Sequence, residues 1–167
     1  MKLIKTILLA CFILASQQIW AQNDKFKALF IYNFTKYIEW PTGASPNFTI
    51  TVLGESPIIT ELNNISKVKK VGPLSIEIKK ANSVAEIGES HILYIPNSKN
   101  RFLNDIIAKS QGKNMLIITD EVIDKSHVNI NFSIREGKQS FEISKAKLES
   151  HHLKINSGLL LLGQVVD

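Results

Sequence analysis

The run HILYIP at residues 91–96 decides the fold class of this chain. It has the length of a strand, stops at a proline, and does not alternate apolar with polar residues. A strand of this kind is buried on both faces, as in a parallel sheet covered by helices. A second such run, MLIITD at residues 115–120, follows NRFLNDIIAKS at residues 100–110, whose apolar positions have helical spacing. A strand–helix–strand unit is therefore predicted.

The same order of elements continues upstream. FTITVLGESP at residues 48–57 alternates apolar residues with threonine and ends in a turn, which is typical of a strand. Residues 58–66 suit a short helix that starts just after a proline. LSIEIKKA at residues 74–81 reads as a further strand. Strands that alternate with helices in this way indicate an α/β architecture.

The last third of the chain changes character. Two segments with period-two alternation flank the turn at residues 135–138 and predict an antiparallel hairpin. Residues 145–152 suit a short helix, and Asn156 or Ser157 is suited to cap a final one. The predicted fold is a single α/β domain at residues 22–167. Its mixed, mainly parallel β-sheet is flanked by helices and carries a C-terminal antiparallel hairpin.

The first residues have the pattern of a secretory signal. Two lysines precede an apolar run at residues 7–15, and a polar stretch then leads to Ile-Trp-Ala at residues 19–21. The apolar run is too short for a permanent membrane-spanning helix. Lipidation at Cys11 fits less well, because the run continues beyond that cysteine. We therefore expect a cleavable signal peptide at residues 1–21, which leaves enough chain for one domain with a proper core.

Composition narrows the possible chemistry. The chain carries 20 basic and 15 acidic residues, a net charge of +5, and two of those lysines lie in the predicted signal. The remaining excess is mild and gives no argument for nucleic-acid binding. Cys11 is the only cysteine. A mature chain without residues 1–21 therefore has no disulfide, thiolate nucleophile or cysteine metal site.

The sequence contains no familiar catalytic motif. His-Glu-x-x-His, Gly-x-Ser-x-Gly, a phosphate loop and Gly-x-Gly-x-x-Gly are all absent. The four histidines are His91, His127, His151 and His152. The adjacent pair points apart on a helix, which disfavours a shared metal ion. We expect no enzyme activity, no catalytic residues, no metal and no cofactor.

The stretch KALFIYNFTKYIEWP at residues 27–41 is crowded with aromatic residues. At about 100° per residue, one side of a helix collects Phe26, Leu29, Phe30, Asn33, Phe34, Tyr37 and Trp40. So wide an apolar arc predicts a core helix that ends at Pro41, with Ala28 on the opposite side. Because Asn33 falls in the middle of the arc, its amide is expected to be buried and bound to a loop or strand-end backbone group.

This stretch resembles the signature helix of the YfiR family. The family pattern is Lys-Ala-x-Phe-x-Tyr-Asn-Phe-x-Lys-Φ-x-Glu-Trp-Pro, where Φ is apolar. It matches Lys27, Ala28, Phe30, Tyr32, Asn33, Phe34, Lys36, Glu39, Trp40 and Pro41. Weaker likenesses follow in the strands, the late hairpin and the closing LKINSGLLLLGQVV, so that the resemblance covers residues 25–166.

The chain departs from the family pattern in three places. It lacks the cysteine pairs that some members carry. Ser144 stands where the family's late Phe-x-Ile-Asn has its asparagine. A glycine that precedes the last apolar segment in the family is replaced around His151 and His152.

The resemblance implies a signalling regulator. The family's namesake represses a membrane-bound diguanylate cyclase by binding its periplasmic sensor portion. By this resemblance the chain is expected in the periplasm, bound to the sensor domain of a membrane cyclase or sensor kinase, whose conformational equilibrium it shifts without covalent chemistry. A homodimer is left open, and nucleic acid is not an expected partner. The site residues Tyr32, Asn33, Phe34, Glu39, Trp40 and Pro41 are expected to be structural, with a partner surface as the alternative.

A small-ligand-binding or sensor module is the second interpretation. Asp120 and Glu121 follow a buried strand and are suited either to the carboxyl edge of the sheet, where ligands often bind, or to a helix N-terminus. A cleft near Trp40, Gly54 and Asp120 is expected in that case. The closing apolar segment at residues 158–166 is expected to pack against the sheet, with a partner surface as the alternative.

Overall fold

The computed structural model describes residues 23–41, 45–124 and 128–166. The predicted signal peptide at residues 1–21 and the histidine at position 127 lie outside these residues. Within the described ranges, no helix is both long and apolar enough to cross a membrane.

The helices and the strands of four or more residues follow one another in the predicted order, and four two-residue strands that were not predicted are added to them. The helices are α1 (residues 23–34), α2 (Ile58–Ser66), α3 (Leu103–Ser110), α4 (Lys145–Ser150) and α5 (Ser157–Leu160). The strands are β1 (Ile38–Glu39), β2 (Asn47–Leu53), β3 (Lys70–Val71), β4 (Leu74–Ala81), β5 (Ile92–Ile95), β6 (Leu116–Asp120), β7 (Ile130–Arg135), β8 (Lys138–Ile143), β9 (Lys154–Ile155) and β10 (Gln164–Val165). Short 3₁₀ helices at Val84–Glu86 and Asn97–Phe102 complete the regular structure.

One eight-stranded sheet carries the fold, in the order β10-β8-β7-β6-β5-β2-β4-β3. The neighbours from β4 to β7 pair in parallel, and β7 and β8 form the antiparallel hairpin. The predicted single α/β domain with a mixed, mainly parallel sheet is thus confirmed. After β2, the chain forms β4 on one side of β2 and then crosses to form β5 on the other side of β2. The direction of winding therefore reverses between β2 and β5.

Strand β5 shows why the sheet is buried on both faces. Ile92 and Tyr94 belong to the core cluster that α1, α2, α4 and α5 cover. Leu93 and Ile95 belong to the opposite cluster, against which α3 packs. Side chains alternate across a strand, so a strand with cores on both faces needs apolar residues at every position. This is the burial predicted from HILYIP.

Helix α1 is shorter than predicted and turns a different face to the core. The N–H groups of residues 35–37 bind carbonyls three residues back, and the chain then enters β1, where Ile38 lies opposite Ile155 of β9. Ala28, predicted to face outward, is fully buried, whereas Leu29, predicted to be buried, is 49% exposed. Pairing of β1 with β9 replaces the last helical turn, so the residues up to Trp40 do not share one helix face.

Asn33 also differs from its prediction. It is half-buried, and its side-chain oxygen accepts a hydrogen bond of 2.9 Å from the Lys36 ammonium at the surface. The prediction that a buried Asn33 amide binds a loop or strand-end backbone group is therefore wrong. The amide stays beside solvent because α1 is rotated toward Ala28 and Ile31, both of which are fully buried.

The departures from the family pattern near the C-terminus have local explanations. Ser144 caps α4, since its hydroxyl accepts from the Lys147 N–H at 3.2 Å; serine and asparagine are both good capping residues. Helix α4 ends at Ser150, and His152 has φ +57°, a left-handed conformation that favours glycine. Asn156 caps α5, as one of the two predicted alternatives stated.

Candidate functional site

The signature residues of α1 do not converge on one site. Phe34 is fully buried, and its ring lies 5.0 Å from Phe141 and 6.0 Å from Phe132, centroid to centroid. Tyr32 is half-buried and carries the Lys36 ammonium 4.8 Å from its ring centroid. Phe34 is therefore part of the core, whereas Tyr32 packs at the edge of the core and is partly open to solvent.

Trp40 closes the amino edge of the parallel strands. Its indole N–H donates to the His91 carbonyl at 3.0 Å, and its ring meets Phe48 edge-on at 5.0 Å. Glu39 and Pro41, on either side of it, are exposed. Trp40 thus fixes the chain that follows β1 against the start of β5.

A cavity of about 360 Å³ opens beside Trp40 and His91. Burial lowers the pKa of the His91 imidazole, and its Nδ1 lies 3.1 Å from the Thr49 N–H, which donates to it. This bond assigns Nδ1 as the unprotonated nitrogen of a neutral ring. The hydrogen bond between the Thr49 N–H and the His91 ring thereby holds the amino ends of β2 and β5 together.

A larger cavity lies at the opposite, carboxyl edge, and we call it the carboxyl-edge pocket. Its volume is about 790 Å³. It is lined by Asn23, Asp24, Lys27, Glu55, Ser56, Pro57, Tyr94, Pro96, Asn97, Ser98, Asp120, Glu121 and Ile134. Gly54 directly precedes this lining and has φ +77°. The predicted grouping of Trp40 with Gly54 and Asp120 is wrong for Trp40, because β1 carries the tryptophan to the other end of the strands.

A buried ion pair forms one wall of the carboxyl-edge pocket. The Lys27 ammonium lies 2.7 and 2.8 Å from the two carboxylate oxygens of Asp120, and the side chains are only 9% and 13% exposed. The Tyr94 hydroxyl donates to the same carboxylate at 3.1 Å, and the Asn100 amide donates to the Asp120 carbonyl at 2.9 Å. Burial and the charge of Asp120 raise the pKa of Tyr94, so that its hydroxyl remains a donor.

Sequence reasoning did not predict a role for Lys27 or Tyr94. In the sequence Lys27 is only the first residue of the signature stretch, although it lies four residues before Ile31 on the buried face of α1. Tyr94 contributes a single polar hydroxyl to the apolar run HILYIP. A lysine and a tyrosine hydroxyl on core-facing positions both require a buried partner, and that requirement was the available signal.

Besides Asp120, the carboxyl-edge pocket is bordered by Glu55, which is paired with Lys80, and by the two carboxylates of Asp24 and Glu121. Asp24, on the first described turn of α1, is half-buried, and this burial raises the pKa of its carboxyl despite the opposing effect of Lys27. Glu121 has φ +52°, a conformation uncommon for a non-glycine residue, and its N–H donates to the Phe132 carbonyl at 2.8 Å. Residues 121–124, which follow Asp120, contain no helix, so this acidic pair lies at a sheet edge and not at a helix start.

Replacing Asp24 by asparagine is expected to stabilise the protein at neutral pH by up to about 1 kcal/mol, since water partly screens the half-buried carboxylate. Below the ordinary pKa of 3.8 the carboxyl is protonated in both states, and the raised pKa has no effect on stability. As pH rises the unfolded chain ionises first, so the native protein loses stability until its own carboxyl has ionised.

Urea unfolding of the native chain and Asp24→Asn below pH 3.8 and at neutral pH measures this difference. An advantage of the variant that grows with pH agrees with the argument. Equal stabilities at both pH values, or a variant that is weaker only at neutral pH, would contradict it.

A single family match covers the part of the chain that holds the ion pair, the signature helix and the strand edges. A search of curated proteins gave no match to the chain. The sequence profile described as YfiR/HmsC-like matches residues 24–164, which include all of α1 except its first residue and every strand of the sheet up to the first residue of β10. The chain therefore belongs to the YfiR/HmsC-like family.

Proposed function

We propose that this protein is an exported regulator that acts in the periplasm on a membrane signalling protein. It binds the outward-facing sensor part of a diguanylate cyclase or a sensor kinase and shifts that partner's activity by non-covalent contact, without catalysis of its own. Membership of the YfiR/HmsC-like family supports the class of function. An exposed apolar surface at the C-terminal end supports binding to another protein.

This surface, the C-terminal apolar edge, consists of Leu161, Leu162 and Val165. Their exposed fractions are 87%, 55% and 46%. The expected burial of the closing segment holds for Leu159, which is 1% exposed, but is wrong for these three residues. Helix α5 has a single turn and ends at Leu160, so the next two leucines lie beyond the face that packs on the sheet.

The position of the C-terminal apolar edge suits a docking surface. Strand β10 ends the order of the sheet and pairs in parallel with β8, so its other side has no strand partner within the described residues. Gly163 anchors the segment, because an added Cβ there would collide with the buried ring of Phe141. Neighbouring exposed apolar side chains beside an open strand edge are typical of surfaces that bind another chain.

Cross-linking to membranes tests this proposal. Tagged mature chain, without residues 1–21, is incubated with membranes of its own bacterium, and the captured protein is identified. A cyclase or kinase with an outward-facing sensor domain is the expected product. Replacement of both Leu161 and Leu162 by glutamate is expected to reduce its capture at least about tenfold, because two apolar contacts of an interface become charged.

Val68→Glu provides the matched control. Val68 follows α2 and is 75% exposed, so the same type of change is made outside the C-terminal apolar edge. The control is expected to capture the partner as the native chain does. Recovery of the protein alone from the membranes, or equal capture by the native chain and the Leu161/Leu162 double variant, would argue against this docking surface.

A ligand-binding or sensor module is the second candidate function, and the carboxyl-edge pocket is the observation that favours it. A volume of about 790 Å³ suits a small organic molecule. A ligand that enters this pocket should raise the melting temperature of the isolated protein, whereas a regulator that acts by docking alone should show no such shift.

A further inference from the structure

We propose that the carboxyl-edge pocket binds a small organic cation, in which an ammonium group is joined to an apolar body. This inference names a site and a ligand class that membership of the family does not imply. It concerns the isolated chain, and it holds or fails independently of docking at the C-terminal apolar edge.

The place of the pocket in the sheet is the first argument. Glu55–Pro57 follow β2, and Pro96–Ser98 follow β5, which are the two strands between which the winding reverses. The first described turn of α1 closes another side. The loops after two such strands diverge to opposite faces of an open α/β sheet and leave a crevice, in which ligands of such sheets commonly bind.

The charges in the pocket select the sign of the ligand. Lys27 is the only basic residue in the lining, and both oxygens of Asp120 already engage its ammonium. Glu55 is paired with Lys80 outside the pocket. Among the described residues, Asp24 and Glu121 form no ion pair within 4.0 Å. Among its lining residues, the pocket therefore presents two carboxylates that form no ion pair, and its one ammonium, that of Lys27, is already bound by Asp120.

The uncharged residues that line the pocket indicate the chemistry of the rest of the ligand. Pro57, Pro96 and Ile134 supply apolar surface, and Asn97 and Ser98 supply hydrogen-bonding groups. No three acidic, histidine or cysteine side chains of the described residues are grouped to hold a metal ion. An ammonium group needs only acceptors around it, and its apolar body gains from burial against the prolines and Ile134.

Two features of the carboxylates fit this assignment. Burial raises the pKa of the Asp24 carboxyl, and an ammonium beside it would offset the cost of holding that charge in the pocket. Glu121 follows Asp120 directly in the chain and lines the same pocket, so the two carboxylates border one space.

Calorimetric titration of the mature chain with three probes of one shape tests the proposal. The probes are 3-phenylpropylamine, 3-phenylpropanol and 3-phenylpropionate, which differ in charge at a single end. The amine is expected to bind and to raise the melting temperature, and the neutral and anionic probes are expected to bind at least about tenfold more weakly. Failure of the amine to bind at millimolar concentration, or equal binding of the alcohol, overturns the proposal.

Variants locate the site. The double variant Asp24→Asn/Glu121→Gln is expected to lose at least about tenfold in affinity for the amine. The control is Asp105→Asn/Glu136→Gln. Asp105 lies in the first turn of α3 as Asp24 does in α1, and Glu136 has φ +51° in the hairpin turn, close to that of Glu121. Equal loss in both double variants, or loss in neither, places the amine elsewhere and overturns the assignment. Circular dichroism confirms that each variant is folded.

Discussion

Asp120→Asn is expected to lower the free energy of unfolding by about 3–5 kcal/mol. The substitution leaves the Lys27 ammonium inside the protein without its counter-charge, and an amide supplies one acceptor oxygen where the carboxylate supplied two. Lys27→Met is expected to cost a similar amount, because it leaves the carboxylate buried with the Tyr94 hydroxyl as its remaining side-chain donor. Urea denaturation followed by circular dichroism measures both.

The double variant Lys27→Met/Asp120→Asn is expected to cost clearly less than the sum of the single changes, since neither charge is then left alone. Glu149→Gln provides a surface comparison, because Glu149 lies 3.7 Å from Lys145 with both side chains more than half exposed. We expect that variant to cost less than about 0.5 kcal/mol. If Asp120→Asn cost no more than Glu149→Gln, the ion pair would not fasten α1 to the sheet.

Phe34→Ala is expected to destabilise the fold by about 3–5 kcal/mol. The Phe34 side chain is fully buried and packs between the rings of Phe132 and Phe141, so its removal leaves a cavity between α1 and the hairpin strands. Thermal unfolding and urea denaturation of the mature chain report the loss. Phe34→Leu keeps most of the volume and is expected to cost less than about 1.5 kcal/mol.

Tyr32→Ala separates the two roles expected for the signature residues. Tyr32 is half-buried, so its removal is expected to cost less than that of Phe34. If Phe34 served a partner surface, Phe34→Ala would fold with native stability and lose only the capture of the membrane partner. That outcome would contradict the burial argument for this residue.

The local sequence pattern was sufficient to predict the longer strands and the fold class. The runs of consecutive apolar residues within 91–96 and 115–120 indicate that both faces of each strand are covered, whichever elements cover them. The Arg135–Lys138 turn between two alternating segments specifies a hairpin, because pairing of adjacent strands requires only the turn and the period. Asn156 is a predicted cap whose hydrogen bond reaches only two residues along the chain.

The candidate site was predicted in part. Asp120 and Glu121 lie at the carboxyl edge, as one of the two interpretations of that acidic pair required, and Gly54 directly precedes the pocket lining. Trp40 was misplaced, because its position depends on the pairing of β1 with β9 more than a hundred residues later. Leu161 and Leu162 were misjudged for a similar reason. Their exposure depends on where a one-turn helix ends against the sheet.

Sequence pattern alone specifies the order of the helices and the longer strands, the burial of the central strands and the family of this protein. These properties follow from the types of neighbouring residues and from the spacing of the apolar ones, both of which can be read from a single sequence. Docking of distant segments determines which face of α1 is buried, which carboxylate pairs with Lys27 and which leucines stay exposed. Each of these depends on contacts between residues far apart in the chain, such as Lys27 and Asp120, whose ion pair exists only when the helix and the strand have docked.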